Sequence, residues 1–186
     1  MSQLNPILIH MAGRIHFIGG IHGVGKSSVC RDICSATALS YLSASELLKW
    51  RELTPDPLDK KVADISMTQS RLIDALGSAV QPGVNYLLDG HYCLFNGSGE
   101  ITPILHEFFE QIKPISLGII VGDVITISTR LEARDGRKYN ATLLQRMQDS
   151  ELKHAEAVST KLGLSLSIGR ENHISEIVSQ IVRLNN

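Results

Sequence analysis

The stretch that decides the fold is Gly20-Ile21-His22-Gly23-Val24-Gly25-Lys26-Ser27, preceded by Arg14-Ile15-His16-Phe17-Ile18-Gly19. The upstream six residues alternate in polarity and read as a strand running into a glycine turn. The following eight match G-x-x-x-x-G-K-[ST] without departure, and a helical pattern takes over from Lys26. Glycine lets the backbone wrap closely around a polyphosphate in conformations that a Cβ would penalise. Successive N–H groups and the positive end of the helix then face the anion. Gly20, Gly23, Val24, Gly25, Lys26, Ser27 and Ser28 are therefore the candidate nucleotide-binding residues. Lys26 is placed to reach the β- and γ-phosphates of ATP or GTP, and Ser27 to offer its hydroxyl to Mg²⁺. His22 is unusual in bulk inside such a loop, but the sequence gives it no chemistry of its own.

Outward from the loop, short apolar runs alternate with helical stretches. Strands are expected at 14–19, 39–42, 84–88, 115–121 and 164–168. The runs at 84–88 and 115–121 are apolar with few polar interruptions, as in strands buried on two faces of a parallel sheet. Helices are expected at 26–38, 45–53 (with Ser45 as N-cap), 58–80, 103–112, 124–133 and 141–162. Ile174, Ile177, Val178, Ile181 and Val182 mark a last amphipathic helix. Thr54-Pro55-Asp56-Pro57 and Gln81-Pro82-Gly83 are breaks. The expected fold is α/β, with a five-stranded parallel sheet and right-handed crossovers. One domain over 1–186 accounts for the pattern, with 1–13 as an N-terminal extension.

Composition narrows the function classes. With 18 Lys+Arg against 19 Asp+Glu the net charge is −1, and no dense basic run is present. The chain is expected to bind neither nucleic acid nor a membrane. The longest apolar stretch, 115–121, is far shorter than the ~20 residues that cross a bilayer, and the first residues lack a basic leader. Cys30, Cys34 and Cys93 follow no metal-ligand spacing and read as reduced thiols of a cytoplasmic protein.

A phosphate loop needs a partner acid at the end of a neighbouring buried strand, and Asn85-Tyr86-Leu87-Leu88-Asp89 supplies one. Asp89 is the candidate to complete the metal site with Ser27. No guanine-reading N-K-x-D follows a strand, and nothing matches the accessory elements of large ATPase machines. The segment Arg130-Leu131-Glu132-Ala133-Arg134-Asp135-Gly136-Arg137-Lys138 instead concentrates cations. Arg130 and Arg134 share a helical face and Arg137 follows in a polar loop, as suits the charge on a transferring phosphoryl group.

Taken together, GGIHGVGKSS, NYLLDGH and RLEARDGRKYN resemble the P-loop nucleoside monophosphate kinases, the archaeal-type adenylate kinases and their small eukaryotic relatives above all. The resemblance spans about 14–184 and implies a P-loop NTPase three-layer fold, with helices on both faces and a short lid at about 133–141. It implies that Lys26 and the glycine loop hold ATP, that Ser27 and Asp89 hold Mg²⁺, and that Arg130 stacks on the adenine. Arg134 would clamp the phosphoryl group, and Arg137 would lie in the lid, so the implied catalytic residues are Lys26, Arg134 and Arg137. The acceptor region would be about 43–80. There Arg51, Lys60 and Lys61 stand in unclear register, and His91 and Tyr92 replace the arginine that common adenylate kinases carry after the Asp-Gly turn.

The expected activity is thus Mg-dependent transfer from ATP to a nucleoside monophosphate such as AMP. A kinase for a non-nucleotide metabolite and a nucleotide-dependent regulatory ATPase remain alternatives, and the oligomeric state is open. Other polar residues carry less. Glu151 and His154 share a helical face without forming a zinc motif, and Asp123 reads as an N-cap. Leu144, Met147, Ala155, Val158 and Leu162 form a core stripe, and Gly97-Ser98-Gly99 reads as a flexible loop.

Overall fold

The first strand, β1 (Arg14–Gly19), is the centre of the molecule because it is apolar on both sides. Ile15 and Phe17 face one core and Ile18 the other, all at 1% exposure or less. The structure, a computed structural model, describes residues 13–49, 61–62, 64–170 and 173–185. The elements that follow are α1 (Lys26–Ala36), β2 (Ser40–Ser43), α2 (Ala44–Leu47), β3 (Lys61–Val62), α3 (Ile65–Ala79) and β4 (Asn85–Asp89). Next come β5 (Cys93–Asn96), β6 (Ile101–Pro103), α4 (His106–Ile112), β7 (Ser116–Val121) and α5 (Val124–Asp135). The chain closes with α6 (Ala141–Leu162), β8 (Leu166–Arg170) and α7 (Ser175–Asn185).

The main sheet is five-stranded and parallel, in the order β2-β4-β1-β7-β8. Helices cover both faces, as the apolar runs require. On one side Leu72 and Leu76 of α3, Phe109 of α4 and Val158 of α6 pack on Ile15 and Phe17. On the other, Val29 and Ile33 of α1, Ile127 of α5 and Ile181 of α7 pack on Ile18 and Leu87. Strand order reverses beside β1, so the loops after β1 and β4 diverge at the carboxyl edge of the sheet and open a crevice there.

Several local expectations need correction. The N-cap of α2 is Ser43, whose hydroxyl accepts from Glu46 N, and not Ser45. The expected helix at 45–53 is helical over Ala44–Leu47, and 50–53 lie outside the described residues. Within the span expected to be one helix, 58–80, α3 starts at Ile65, where Asp64 accepts from Met67 N at 2.9 Å. Before it lies β3, which joins β5 and β6 in a small second sheet. Strands of two to four residues have no room to show a period, so this sheet left no trace in the pattern. The Gly97-Ser98-Gly99 loop is the turn of its hairpin, organised by Asn96 Oδ1 accepting from Ser98 N (3.0 Å) and Glu100 N (2.9 Å). The last strand lies at Leu166–Arg170 rather than 164–168.

Asp123 caps α5 as expected, accepting from Thr126 N at 2.8 Å. The three cysteines are free thiols. Burial raises all three, Cys93 up to about 12, so they stay protonated. No described helix is long and apolar enough to cross a membrane.

Candidate active site

The loop between β1 and α1 is built on backbone that only glycine tolerates well. Gly20 has φ 142° and Gly23 φ 78°, and Gly25 enters α1 at φ 91°. A Cβ on Gly20 would stand 2.5 Å from the Ile120 carbonyl oxygen, and one on Gly23 would stand 2.7 Å from Leu131 Cγ. No side chain caps the N-terminus of α1, so its first turn presents backbone N–H groups and the positive helix end toward the loop.

At the carboxyl end of β4, Asp89 lies in register with Ile18 of β1 and Ser43 of β2, and it is 4% exposed. Three donors converge on its carboxylate. Lys26 Nζ pairs with Oδ1, while Ser27 Oγ (2.6 Å) and Tyr41 OH (3.0 Å) donate to Oδ2. Burial pushes the Asp89 carboxyl up, but the Lys26 ammonium and the hydrogen bonds from Lys26 and Ser27 outweigh it and hold the group below its usual range. Burial and the neighbouring Asp89 push the Tyr41 phenol up to about 12, so it remains a donor. Ser27 Oγ and Asp89 Oδ2 are thus two hard oxygens side by side, the donor chemistry that Mg²⁺ takes.

A second carboxylate approaches the loop from α6. Glu151 is fully buried, and its Oε2 accepts from Gly20 N (3.2 Å) and Tyr92 N (2.9 Å). Its Oε1 meets His91 Nδ1 at 3.0 Å, and His91 in turn lies against His22, with ring centroids 4.3 Å apart. Burial raises the Glu151 carboxyl to about 7 against the pull of the Tyr92 N–H and the charge of Lys26. Glu151 therefore ties the phosphate loop to the turn after Asp89. His154, one turn on, bonds the Ile104 carbonyl instead, and the described residues contain no cluster of three His, Cys, Asp or Glu suited to a metal.

The arginines gather around the junction of α5 and α6. Arg130 Nη1 donates to the Gly23 carbonyl at 2.9 Å and so touches the phosphate loop. Arg134 grips Asp135 through two bonds of 2.6 and 2.8 Å. Arg137 Nε donates to Tyr139 OH at 3.1 Å, with its guanidinium over the Tyr139 ring. Hydrogen bonds from Arg134 and Tyr139 hold Asp135 down at about 2. The structure thus brings Gly20, Gly23, Val24, Gly25, Lys26, Ser27, Asp89 and Arg130 to one place. Ser28 is exposed on α1, and Arg134 and Arg137 sit in a neighbouring cluster.

Beside the loop, on the α3 side of the sheet, lies a small cleft with a cavity volume of about 60 Å³. His22 and His91 line it next to the phosphate loop. Phe17, Leu48, Leu72, Leu94, Ile104 and Phe108 make most of the rest, with Gln69 among them. Among the described residues no arginine or lysine lines it. Arg51 and Lys60 lie outside the described residues. Sequence reasoning missed Tyr41, Glu151 and Gln69, whose roles depend on contacts between distant elements.

Residues 19–148 match the family model described as an AAA domain, from the end of β1 into α6. The chain belongs to that family. The adenylate kinase of Parasynechococcus marenigrum (strain WH8102) is 24% identical over 184 residues, covering 94% of this chain and 99% of that one. The crystal structure of a gluconokinase from Sinorhizobium meliloti 1021 superposes with TM-score 0.54 at 16% identity and 94% coverage of both chains, which shows a shared fold. With its phosphate loop and strand-end acid, the chain is a P-loop kinase, an ATP-dependent phosphotransferase.

Proposed function

We propose that this kinase transfers the γ-phosphoryl group of Mg-ATP to a hydroxyl group of a small non-nucleotide molecule held in the cleft beside the phosphate loop. The observation that carries this reading is the lining of the cleft. Phe17, Leu48, Leu72 and Phe108 offer apolar surface where an acceptor phosphate would ask for guanidinium or ammonium groups. Residues 43–80 and the turn after Asp89 are assigned to the acceptor, and 133–141 to a short lid. The near full-length similarity to an adenylate kinase favours a second reading, with AMP as acceptor.

On the donor side, the loop N–H groups and Lys26 bind the β- and γ-phosphates. For this the Lys26 ammonium exchanges Asp89 for the nucleotide. Ser27 and Asp89 would hold Mg²⁺, which when bound neutralises charge on the phosphates. Arg130 flanks the loop, and Arg134 and Arg137 are assigned to the charge that spreads over the transferring group. The acceptor oxygen bonds to the γ-phosphorus as the bond to the β–γ bridging oxygen breaks. ADP leaves, and the hydroxyl proton is released to water. The apolar walls exclude water from the reacting end of the cleft, which favours transfer over hydrolysis. The three free thiols support a cytoplasmic setting.

The test is ADP production from Mg-ATP with AMP, CMP and a set of hydroxylated small molecules. Turnover with a hydroxylated non-nucleotide supports the proposal, turnover with AMP alone establishes the second reading, and no turnover with any acceptor overturns both.

A further inference from the structure

Along α3 the core-facing positions are Ile65, Gln69, Leu72, Ile73 and Leu76, spaced as one stripe of a helix. Four of the five are apolar, and the other is an amide. Gln69 is 6% exposed, and its Nε2 has no hydrogen-bond partner although it is wholly withdrawn from the surface. A buried donor without a partner is a standing cost to the fold, and a leucine here would continue the stripe without it. The same side chain lines the cleft beside the phosphate loop, among Phe17, Leu72 and Phe108. That cleft has the mostly apolar lining of small-molecule sites, which fix orientation with one or two placed polar groups.

We propose that Gln69 is the specificity-determining residue of the acceptor site: its side-chain amide, turned into the cleft when the acceptor enters, donates an N–H to an oxygen of an uncharged acceptor whose apolar body fills the cleft. The inference rests on the reading of this cleft as the acceptor site, and it names the class of acceptor. The oxygen is a neutral acceptor, such as a carbonyl, and it is separate from the hydroxyl that receives the phosphoryl group. The donor amide and apolar walls disfavour an anionic group at this end, because a carboxylate or phosphate would lose its water for a single neutral hydrogen bond. Ser45 and Thr68, which also line the cleft, offer further neutral polar contacts.

The test measures binding apart from turnover, so that a failure of phosphoryl transfer and a failure of this assignment are distinguishable. Three alcohols of one shape are titrated by NMR into the full chain loaded with a non-hydrolysable ATP analogue: methyl para-(hydroxymethyl)benzoate, para-methylbenzyl alcohol and the para-(hydroxymethyl)benzoate anion. The ester is expected to bind most tightly and the anion most weakly. Gln69→Leu is expected to remove the ester's advantage over the methyl compound, about tenfold, and to leave affinity for the ATP analogue unchanged. Thermal unfolding of Gln69→Leu without ligand is a second readout, and its Tm is expected to rise. Tightest binding by the anion, an unchanged order in Gln69→Leu, no binding by any of the three, or a fall in Tm in the variant would each overturn the proposal.

Discussion

At the donor end of the cleft, Lys26, Ser27 and Tyr41 all donate to one buried carboxylate, Asp89, and every polar group in that knot has a partner. At the other end, Phe17, Leu48, Leu72 and Phe108 line the cleft together with Gln69, whose amide nitrogen has none. The two ends share a wall, since His22 belongs to the phosphate loop and His91 to the turn after Asp89. The donor end is organised for a polyanion whose chemistry is common to all nucleotide triphosphates. The other end, which we assign to the acceptor, is shaped by apolar surface and a sparse set of polar groups, as suits the part of a site that distinguishes one substrate from another.

The contrast can be broken most severely at Lys26. Lys26→Ala removes the ammonium meant for the phosphates and leaves Asp89 buried without its counter-charge. ADP formation is expected to fall by about a hundred- to a thousand-fold, measured as kcat in a coupled assay. Glu151 links the two ends, and its replacement should be felt in stability. Glu151→Leu strands the N–H groups of Gly20 and Tyr92, at roughly 1–3 kcal/mol each. A Tm fall of about 10 °C is expected by calorimetry, whereas Glu151→Gln keeps an acceptor for both groups and should fall by a few degrees or less.

The same residue gives a pH signature. The Glu151 carboxyl titrates at about 7 in the folded chain against an ordinary 4.5, so the folded state holds this proton more tightly than the unfolded one. Its stabilising contribution is complete below pH 4.5 and is lost as pH rises toward about 7. Urea midpoints of the wild type relative to Glu151→Gln are expected to decline across that window and level off above it. The smallest effect lies away from both ends of the cleft. Asp123→Ala removes the cap of α5 and should cost about 1 kcal/mol in urea unfolding, with kcat unchanged.

How much of this was legible in the sequence differs between the same two ends. The phosphate loop is local: its glycines, lysine and serine are neighbours in the chain, and the mostly apolar runs before Asp89 and Gly122 marked the central strands. The acceptor cleft is assembled from β1, α2, α3, β5 and α4, so no window of sequence contains it. Glu151 was weighed only beside His154 on one helical face and set aside for want of a zinc motif, because its partner Gly20 lies 131 positions away. Gln69 was passed over for a related reason. A glutamine inside an apolar stripe looks like a solvated break until the packing shows that it is buried. The small second sheet was missed because Lys61–Val62 and Ile101–Pro103 are too short to carry a pattern.

The central claim is that the apolar end of the cleft takes a hydroxylated non-nucleotide acceptor. Phosphorus NMR of the protein with Mg-ATP, AMP and a mixture of uncharged hydroxylated small molecules tests it most directly. The expected result is a new phosphate-monoester resonance growing in step with ADP while AMP is unchanged. Consumption of AMP, with two ADP formed for each ATP and no new monoester, would contradict the account.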